Sequence, residues 1–391
     1  MNTFKTYNNI SKEGISILKK ADFKINNLNP DSILLRSHKL TLTELNKAKL
    51  KCVGRAGTGV NNIPLEPASK NGIVVFNTPG ANSNAVKELV ICGMLLSSRG
   101  IIEGNLFARS LKNESIEMMS EAMESNKSLF KGNELKDKTL GIIGLGAIGS
   151  LVAEAANILG MKIIGYDPYI SIESAWRIPN DVEKADSLNY LLKNSDYITV
   201  HVPLTPDTKN LISKKNIDLI KKDSKIINLS RGDIVNNEDI LMALKLKKIS
   251  KYVTDFPSPN LAKRSHKNND VILLPHIGAS TKEAEINCSK MAASQIIDFL
   301  SNGNITNSVN FPTIKMSRSS KYRLVIIYED APGIIGNVAG KIATYKTNIA
   351  DMVNKNRDSL AISLIDIDRK PSNTLVTDLS KIDKVISVRF C

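Results

Sequence analysis

Residues 138–167 read KTLGIIGLGAIGSLVAEAANILGMKIIGYD, and the rest of the chain is organised around this stretch. It opens on an apolar run, Leu140 to Ile143, which is too short for a helix and therefore predicts a buried strand. A second apolar run, Ile163 to Tyr166, ends on Asp167. Between the two runs, apolar residues recur at helical spacing at Ile148, Leu151, Val152, Ala155 and Leu159. The pattern predicts a strand–helix–strand unit.

Three glycines in the first turn, Gly144, Gly146 and Gly149, form a G-x-G-x-x-G pattern. In a dinucleotide site these glycines allow a tight turn, a close approach to the pyrophosphate and close packing of helix on strand. The helix N-terminus offers free N–H groups to the phosphates. Asp167 follows about 20 residues later, where a carboxylate binds a ribose 2′-hydroxyl and repels a 2′-phosphate. We predict a site for NAD; the alternative is a glycine-rich turn in an ordinary α/β protein.

Composition narrows the class of protein. The 391 residues suffice for about two or three domains, and no apolar run reaches membrane-span length, so we expect no membrane partner. The net charge of +14 could indicate nucleic acid. The lysines are dispersed without a binding motif, so we expect anionic metabolites as partners and no nucleic acid. Four scattered cysteines predict no metal site and no disulfides, and the N-terminus lacks a signal-peptide core, so the expected location is cytoplasmic.

Upstream of the glycine stretch, three apolar runs predict parallel strands of a first α/β unit: Ile33–Leu35, Cys52–Val53 and Ile73–Phe76. Ligands of such sheets bind beyond the carboxyl ends of the strands. Arg55 is therefore a candidate anion ligand, with a solvated surface charge as the alternative. Long apolar-faced helices are predicted over 81–102 and 281–300, whereas residues 109–137 are charged and predict irregular structure.

Downstream, four more predicted strands end in polar clusters: His201-Val202, Ser230-Arg231-Gly232-Asp233, Asp255-Phe256-Pro257 and Pro275-His276-Ile277-Gly278. All would lie at the same sheet edge as the glycine turn, which predicts one shared active site. His276 is the best candidate for a general base. His201 is the next candidate, or it caps its strand or packs beneath a nicotinamide. His38 and His266 are predicted to be surface residues.

The last 70 residues differ in pattern from the rest. Strands and helices alternate as βαββαβ over 321–391, which is typical of a ferredoxin-like module. The polar segment Asn302 to Ser320, which contains Pro312, is predicted to be a linker.

Six motifs together resemble the D-isomer-specific 2-hydroxyacid dehydrogenases: NTPG at 77–80, GLGAIG at 144–149, YDP at 166–168, HVPLTPDTK at 201–209, SRGDIV at 230–235 and PHIGAST at 275–281. The resemblance implies an α/β fold class with two Rossmann or flavodoxin-like doubly wound parallel-sheet domains. A C-terminal ferredoxin-like domain of the ACT type would follow. The expected boundaries are 1–97 with 285–310 for substrate binding, 98–284 for NAD and 321–391 for the regulatory module.

GRAGTGVNNI at 54–63 and the C-terminal module narrow the resemblance to family members that oxidise 3-phospho-D-glycerate with NAD, the first step of L-serine biosynthesis. Two alternatives stay open. The chain could act on another D-2-hydroxy acid, or it could be a weakly active NAD-sensing binding protein on the same fold. A homodimer or homotetramer is expected in each case.

The resemblance also implies roles for individual residues. Arg231 would hold the substrate carboxylate and carbonyl, and His276 would be the acid/base. Arg55 would bind the 3-phosphate, and the backbone of Ala56 and Gly57 the carboxylate. The implied cofactor-binding residues are Thr78, Gly144, Gly146, Ala147, Ile148, Gly149, Asp167, Val202, Leu229, Ser230, Arg231, Asp255, His276, Gly278 and Ala279.

Two departures from the family pattern affect function. The glutamate that pairs with the family's histidine is replaced by Asn260, an amide that can orient an imidazole but cannot stabilise an imidazolium as a carboxylate would. Another carboxylate beside His276 is the alternative. In the C-terminal module, Tyr328 and Asp330 stand where serine-sensitive members tend to have His and Asn. L-serine is the effector that the resemblance implies, and these departures leave three alternatives: the module binds serine poorly, binds another ligand, or serves only as a dimer contact.

Overall fold

The computed structural model describes residues 1–8 and 10–391. They form two compact units, one of Met1–Asn82 with Lys282–Cys391 and one of Ser83–Thr281. We call them unit 1 and unit 2. In the described part of the chain, no helix is long and apolar enough to span a membrane.

Unit 1 begins with a five-stranded parallel sheet in the order β2-β1-β3-β4-β5. Its strands are β1 Thr3–Thr6, β2 Lys24–Ile25, β3 Ser32–Leu35, β4 Cys52–Arg55 and β5 Val74–Phe76, and its first helices are α1 Lys12–Lys20, α2 Leu42–Leu45 and α3 Leu65–Lys70. The sequence predicted β3, β4 and β5 but missed β1 and β2. The side chains of β2 are exposed, so its sequence carries no buried apolar pattern.

Unit 2 contains a seven-stranded parallel sheet in the order β12-β11-β10-β9-β6-β7-β8. Its strands are β6 Thr139–Ile143, β7 Lys162–Tyr166, β8 Val182–Lys184, β9 Tyr197–Val200, β10 Ser224–Asn228, β11 Ile249–Thr254 and β12 Val271–Leu273. Its helices are α4 Ser83–Ser98, α5 Ile101–Ser110, α6 Ile116–Asn126, α7 Ala147–Ile158, α8 Ile172–Ala175, α9 Leu188–Asn194, α10 Asn237–Lys245 and α11 Pro259–Lys267. Short 3₁₀ turns cover Lys127–Phe130, Ile217–Leu219 and Gly232–Ile234.

Two predictions for residues 81–137 were wrong. The predicted helix over 81–102 is interrupted, because α4 ends at Ser98 and Gly100 is the N-cap of α5. The segment predicted to be irregular contains the end of α5 and all of α6. Neither helix has a buried residue, and the charged residues among their apolar ones hid the helical spacing. Helix α4 falls within unit 2, whereas the expected domain boundary was at 97/98.

Unit 1 resumes with α12 Lys282–Asn302 and the elements β13 Tyr322–Glu329, α13 Ile334–Thr344, β14 Ile349–Arg357, β15 Leu360–Ile367, α14 Asn373–Ser380 and β16 Val385–Phe390. The four strands form an antiparallel sheet in the order β14-β15-β13-β16. The predicted βαββαβ module is present, and the predicted fold class is confirmed.

The module shares a hydrophobic core with the rest of unit 1. Val325, Ile327 and Leu364 of its sheet lie in the same buried cluster as Phe299 of α12 and Phe4 of β1. The predicted linker is part of this core, since Ile305, Phe311, Ile314 and Met316 are buried. The segment 302–320 is therefore packed structure.

Three arginines cap the C-terminal end of α12. A helix leaves its last four carbonyls without intrahelical partners. Here the carbonyls of residues 299–302 accept hydrogen bonds from Arg389, Arg318 and Arg323 at 2.5–3.1 Å. Cations at this end also interact favourably with the helix dipole. Arg323 and Arg389 belong to the module and Arg318 precedes it, so these hydrogen bonds tie the module to the helix.

Candidate active site

Every polar cluster that the sequence predicted in unit 2 follows a strand of one parallel sheet. Across the sheet the ends carry, in spatial order, His276 after β12, Asp255 after β11, Arg231 after β10, His201 after β9 and the glycine turn after β6. Asp167 follows β7, the next strand. Because all these strands are parallel, their carboxyl ends share an edge. The edge thus brings together the predicted cofactor and catalytic residues of unit 2.

The glycine turn has the geometry of a dinucleotide loop. Gly144 has φ = +92°, a left-handed conformation that glycine adopts without strain. A Cβ at Gly149 would lie 2.0 Å from the Gly144 carbonyl oxygen, so only glycine permits this close approach. A Cβ at Gly146 would meet no atom within 4 Å, and Gly146 is the N-cap of α7. Ala147 and Ile148 begin this helix, so its free N–H groups lie beside open space.

The Asp167 side chain holds both the glycine turn after β6 and the loop after β7. Its carboxylate accepts hydrogen bonds from the backbone N–H groups of Leu145 at 2.9 Å and Tyr169 at 3.0 Å. Beside it lies a cavity of about 480 Å³, lined by residues that include Asp167, Ile178 and Val182. An apolar cavity next to a fixed carboxylate suits the adenosine half of NAD, with a planar base in the cavity and a ribose hydroxyl on the carboxylate.

The environment of Asp255 supports a binding site for the nicotinamide part of NAD at the same edge of the sheet. Its side chain is buried, and its Oδ2 accepts a hydrogen bond from the Gly278 N–H at 2.9 Å. Its Oδ1 is buried and has no hydrogen-bond partner among residues 1–8 and 10–391. A buried carboxylate oxygen without a donor is costly, and a carboxamide N–H₂ would supply one. The residues at this edge fit NAD.

Arg231 lies on a loop that Asn228 and Ser230 hold in place. The buried Asn228 amide donates to the Arg231 carbonyl at 2.9 Å, and its Oδ1 accepts from the Ser230 N–H at 3.2 Å. The Ser230 hydroxyl donates to the Val202 carbonyl at 2.6 Å, which joins the loops after β10 and β9. The Arg231 guanidinium donates to the Ser230 carbonyl at 2.6 Å. This loop therefore holds a cation at the shared edge.

His276 has an unusual backbone conformation and an exposed side chain. Its φ is +45°, and its N–H donates to the carbonyls of Asp255 at 3.0 Å and Leu274 at 3.2 Å. Its ring packs on the ring of Phe256, with 4.9 Å between centroids. No hydrogen bond or ion pair to the imidazole is present in the part of the chain that the structure describes. A solvent-accessible imidazole of this kind can exchange a proton with a bound hydroxyl group.

His201, the second candidate base, lies in a different environment. Its Nε2 is 2.9 Å from Thr199 Oγ1, and its Nδ1 is buried without a partner among the described residues. Burial disfavours the charged ring and lowers the pKa of His201 to about 3. Such a group accepts a proton poorly near neutral pH, which leaves His276 as the candidate base. His38 is a partly buried residue, stacked on Tyr7 at 4.0 Å and hydrogen-bonded to Glu44.

Asn260, at the position implied for the family's glutamate, lies on α11 and donates a hydrogen bond to Glu238 Oε1 at 2.8 Å. Ser258 is the N-cap of α11 and accepts from the Leu261 N–H. This start places Asn260 in the first turn, beside α10. The structure thus gives Asn260 a partner other than His276.

Replacing Asn260 by glutamate tests whether a charge at this position reaches His276. We expect kcat to stay within about twofold of wild type and the pH optimum to stay the same, because added charge on an exposed side chain is screened by water. The new carboxylate would face Glu238, so we also expect a slightly lower melting temperature. Asn260→Ala, which loses the hydrogen bond without adding charge, is the control. A shifted pH optimum in the glutamate variant alone would show coupling to His276.

The proposed substrate residues lie at the carboxyl edge of the sheet in unit 1. Arg55 ends β4, and its Nε donates to the Arg36 carbonyl at 3.1 Å. A Cβ at Gly57 would lie 1.8 Å from Arg55 Nη1, so the guanidinium lies against the Gly57 backbone. Ala56 is buried, and the Thr78 N–H donates to the Gly57 carbonyl at 3.1 Å. This edge offers a fixed cation beside a glycine-containing loop.

Asn228 and the contact that Phe256 makes were missed in the sequence. Asn228 is a polar side chain at the end of an apolar strand, and that position alone could have indicated a structural role. Phe256 directly follows Asp255, but nothing in the sequence indicates that its ring contacts His276.

Comparison with known proteins identifies the family. Residues 105–278 match the family described as D-isomer specific 2-hydroxyacid dehydrogenase, NAD binding domain. The D-3-phosphoglycerate dehydrogenase of Methanocaldococcus jannaschii is 37% identical over 331 residues, which are 83% of this chain and 59% of that protein. Residues 105–278 belong to the D-isomer specific 2-hydroxyacid dehydrogenase family. The resemblance inferred from the motifs is confirmed.

Other members of the dehydrogenase family show the same relationship. Human D-3-phosphoglycerate dehydrogenase is 38% identical over 286 residues, which are 72% of this chain and 50% of that protein. The crystal structure of NAD⁺-bound 3-phosphoglycerate dehydrogenase from Entamoeba histolytica is 29% identical with a TM-score of 0.61, and the match covers 79% of this chain and 98% of that one. The chain spans between 50% and 59% of the length of the curated relatives it matches.

Proposed function

We propose that the protein oxidises 3-phospho-D-glycerate to 3-phosphohydroxypyruvate with NAD, the first step of L-serine biosynthesis. The observation that carries the proposal is the order of groups along one edge of the seven-stranded sheet. The glycine turn, Arg231, Asp255 and His276 follow strands of that sheet. Similarity to D-3-phosphoglycerate dehydrogenases along most of this chain supports the choice of substrate.

In this proposal each residue has a defined task. NAD, when bound, accepts the hydride from the carbon that bears the hydroxyl group. His276 takes the hydroxyl proton, and Arg231 holds the carboxylate and polarises the forming carbonyl. Arg55 would bind the phosphate, and the backbone of Ala56 and Gly57 the carboxylate.

NADH absorbance of the purified protein tests the substrate. With NADH and a panel of 2-keto acids, we expect phosphohydroxypyruvate to be reduced at least about tenfold more efficiently than unphosphorylated acids, since a bound phosphate gains charge-assisted hydrogen bonds. Faster reduction of an unphosphorylated acid would assign the enzyme to another D-2-hydroxy acid.

A second candidate function is an NAD-sensing binding protein. The observation that favours it is the His276 ring, which lacks a carboxylate partner among the described residues, with Asn260 bonded to Glu238. In this case NADH would bind tightly while every keto acid on the panel stays unreduced. The same assay therefore separates the two functions.

The contacts at the turn of the C-terminal module argue against L-serine as an effector. The Tyr328 hydroxyl donates to Asn354 Oδ1 at 2.5 Å and lies 2.9 Å from Ser363 Oγ. Asp330 accepts from the Asn356 amide at 2.6 Å. A ligand at this turn would have to displace these bonds, so we expect calorimetry with millimolar L-serine to give no heat. Measurable heat would restore serine as the effector.

The proposal includes a homodimer or homotetramer in the cytoplasm. Support for self-association comes from α5 and α6, where Leu106, Ile116 and Met118 are 57–83% exposed; exposed apolar patches commonly mark interfaces. Light scattering that finds only monomer at micromolar concentration would exclude it. The four cysteines are free, which fits a reducing compartment.

A further inference from the structure

The orientation of the His276 ring depends on an aromatic contact. The rings of His276 and Phe256 are 4.9 Å apart at an interplanar angle of 55°, which is a favourable geometry for an aromatic pair. A catalytic imidazole is ordinarily oriented by a hydrogen bond from its second nitrogen to another group. In residues 1–8 and 10–391 no such bond is made by the His276 ring. Packing on Phe256 is therefore what restricts the ring.

Phe256 is itself held firmly at the end of β11. Its N–H donates to the Thr254 hydroxyl at 3.2 Å, and Thr254 is fully buried. The preceding residue, Asp255, bonds to the Gly278 N–H through its side chain and to the His276 N–H through its carbonyl. The backbone that carries the phenyl ring is therefore fixed, and the ring in turn restricts the groups that pack on it.

Phe256 also contacts the loop that carries Arg231. A Cβ at Gly232 would lie 3.2 Å from the Phe256 Cβ and 3.6 Å from its Cγ. A methyl group at this position would therefore require the phenyl group to shift by a few tenths of an ångström. One ring therefore lies against the His276 imidazole and also against the residue that follows Arg231.

We propose that Phe256 is a positioning residue that sets the distance and angle between His276 and Arg231, in the role that a carboxylate partner of the histidine would otherwise fill. The inference rests on the proposed dehydrogenase function. Orientation by packing has a chemical consequence, because it leaves both imidazole nitrogens available. One can meet the substrate hydroxyl while the other exchanges its proton with water, since His276 is exposed.

Phe256→Leu removes the ring and keeps an apolar side chain. We expect kcat to fall about 10- to 100-fold, as is typical when a reacting group is misplaced, while KM for NAD stays within about twofold because Asp255 and the glycine turn are untouched. Phe256→Tyr keeps the ring and should restore kcat to within about threefold of wild type. Phe107→Leu is the matched control, because Phe107 pairs with Phe130 in the same unit and should change neither constant.

Gly232→Ala tests the contact between Phe256 and the loop that carries Arg231. The added methyl group pushes on Phe256, so we expect a lower kcat, and the double variant with Phe256→Leu should lose less than the product of the two single effects. An unchanged kcat in Phe256→Leu, or an equal loss in the tyrosine variant, would overturn the proposal.

NMR separates this proposal from the proposed function. The ring proton of His276, assigned with a His276→Asn variant, should show a ring-current shift that disappears in Phe256→Leu. This readout needs no turnover. A protein that reduces no keto acid but shows the shift refutes the dehydrogenase function and keeps the contact, whereas an identical resonance in both proteins refutes the contact itself.

Discussion

Replacing His276 by asparagine is expected to lower kcat for 3-phospho-D-glycerate by about 10²- to 10⁴-fold, the usual contribution of a positioned acid/base. Asparagine tolerates the left-handed backbone conformation better than alanine does, so φ = +45° at this position is kept. The amide cannot take the hydroxyl proton. The loss should appear in kcat, measured from NADH formation at saturating NAD.

NADH binding is the control for this variant. Asp255 contacts Gly278 through its side chain, and that bond does not involve the imidazole. We therefore expect the dissociation constant for NADH, from energy transfer between Trp176 and the nicotinamide, to stay within about threefold. A variant that turns over within tenfold of wild type would show that another group takes the proton. His201, with a pKa of about 3, is a poor replacement.

The sequence predicted the parts of the fold that bury apolar side chains in regular patterns. The strand β6, the glycine turn and β7 were recognisable because an apolar run with β-branched residues lies on each side of the glycines, and closely spaced glycines indicate a tight turn. The placement of His276, Asp255 and Arg231 at one edge followed from the topology of parallel sheets, whereas their order along that edge came only from the structure.

Features that depend on tertiary contacts were not predictable. Helices α5 and α6 bury none of their residues, so no core packing within the described chain accounts for them. The direction of Asn260 depends on where α11 starts, which Ser258 sets through its cap. Arg323 lies in a predicted strand where a cation suggests a solvent-facing position, yet its side chain is fully buried. A charge of this kind becomes interpretable only when its partner is known.

That partner is Asp366, and Arg323→Met is expected to lower the free energy of unfolding of unit 1 by about 3–5 kcal/mol, the usual cost of leaving a buried charge without its partner. Both side chains are 0% exposed, and Arg323 Nε and Nη2 donate to the Asp366 carboxylate at 2.6 and 2.9 Å. The variant would also leave the carbonyls of Asn302, Met316 and Ser317 without their donor. Urea denaturation followed by circular dichroism measures the loss.

Two further variants distinguish the buried charge from the lost cap on α12. Arg323→Met with Asp366→Leu removes both charges and should recover much of the loss, because an apolar pair carries no desolvation penalty. Arg318→Ala removes the cap on the Ser301 carbonyl together with bonds to Lys321 and Cys391, all of them exposed, and should cost little. If the double variant were as unstable as Arg323→Met alone, the capping bonds to the chain would matter more than the ion pair.

Acid denaturation gives an independent test of the same pair. Burial alone would raise the pKa of the Asp366 carboxyl, but hydrogen bonds from Arg323 and Ser319 outweigh it and hold that pKa below its ordinary value. A carboxyl with a depressed pKa stabilises the fold above its unfolded-state pKa of about 3.9, and this contribution is lost as the pH falls towards the folded-state value. Asp366→Leu in the double variant removes this pH-dependent contribution to stability. We therefore expect the stability difference between wild type and the double variant to shrink as the pH falls below about 4, whereas a difference independent of pH would mean that the carboxylate is not what stabilises this core.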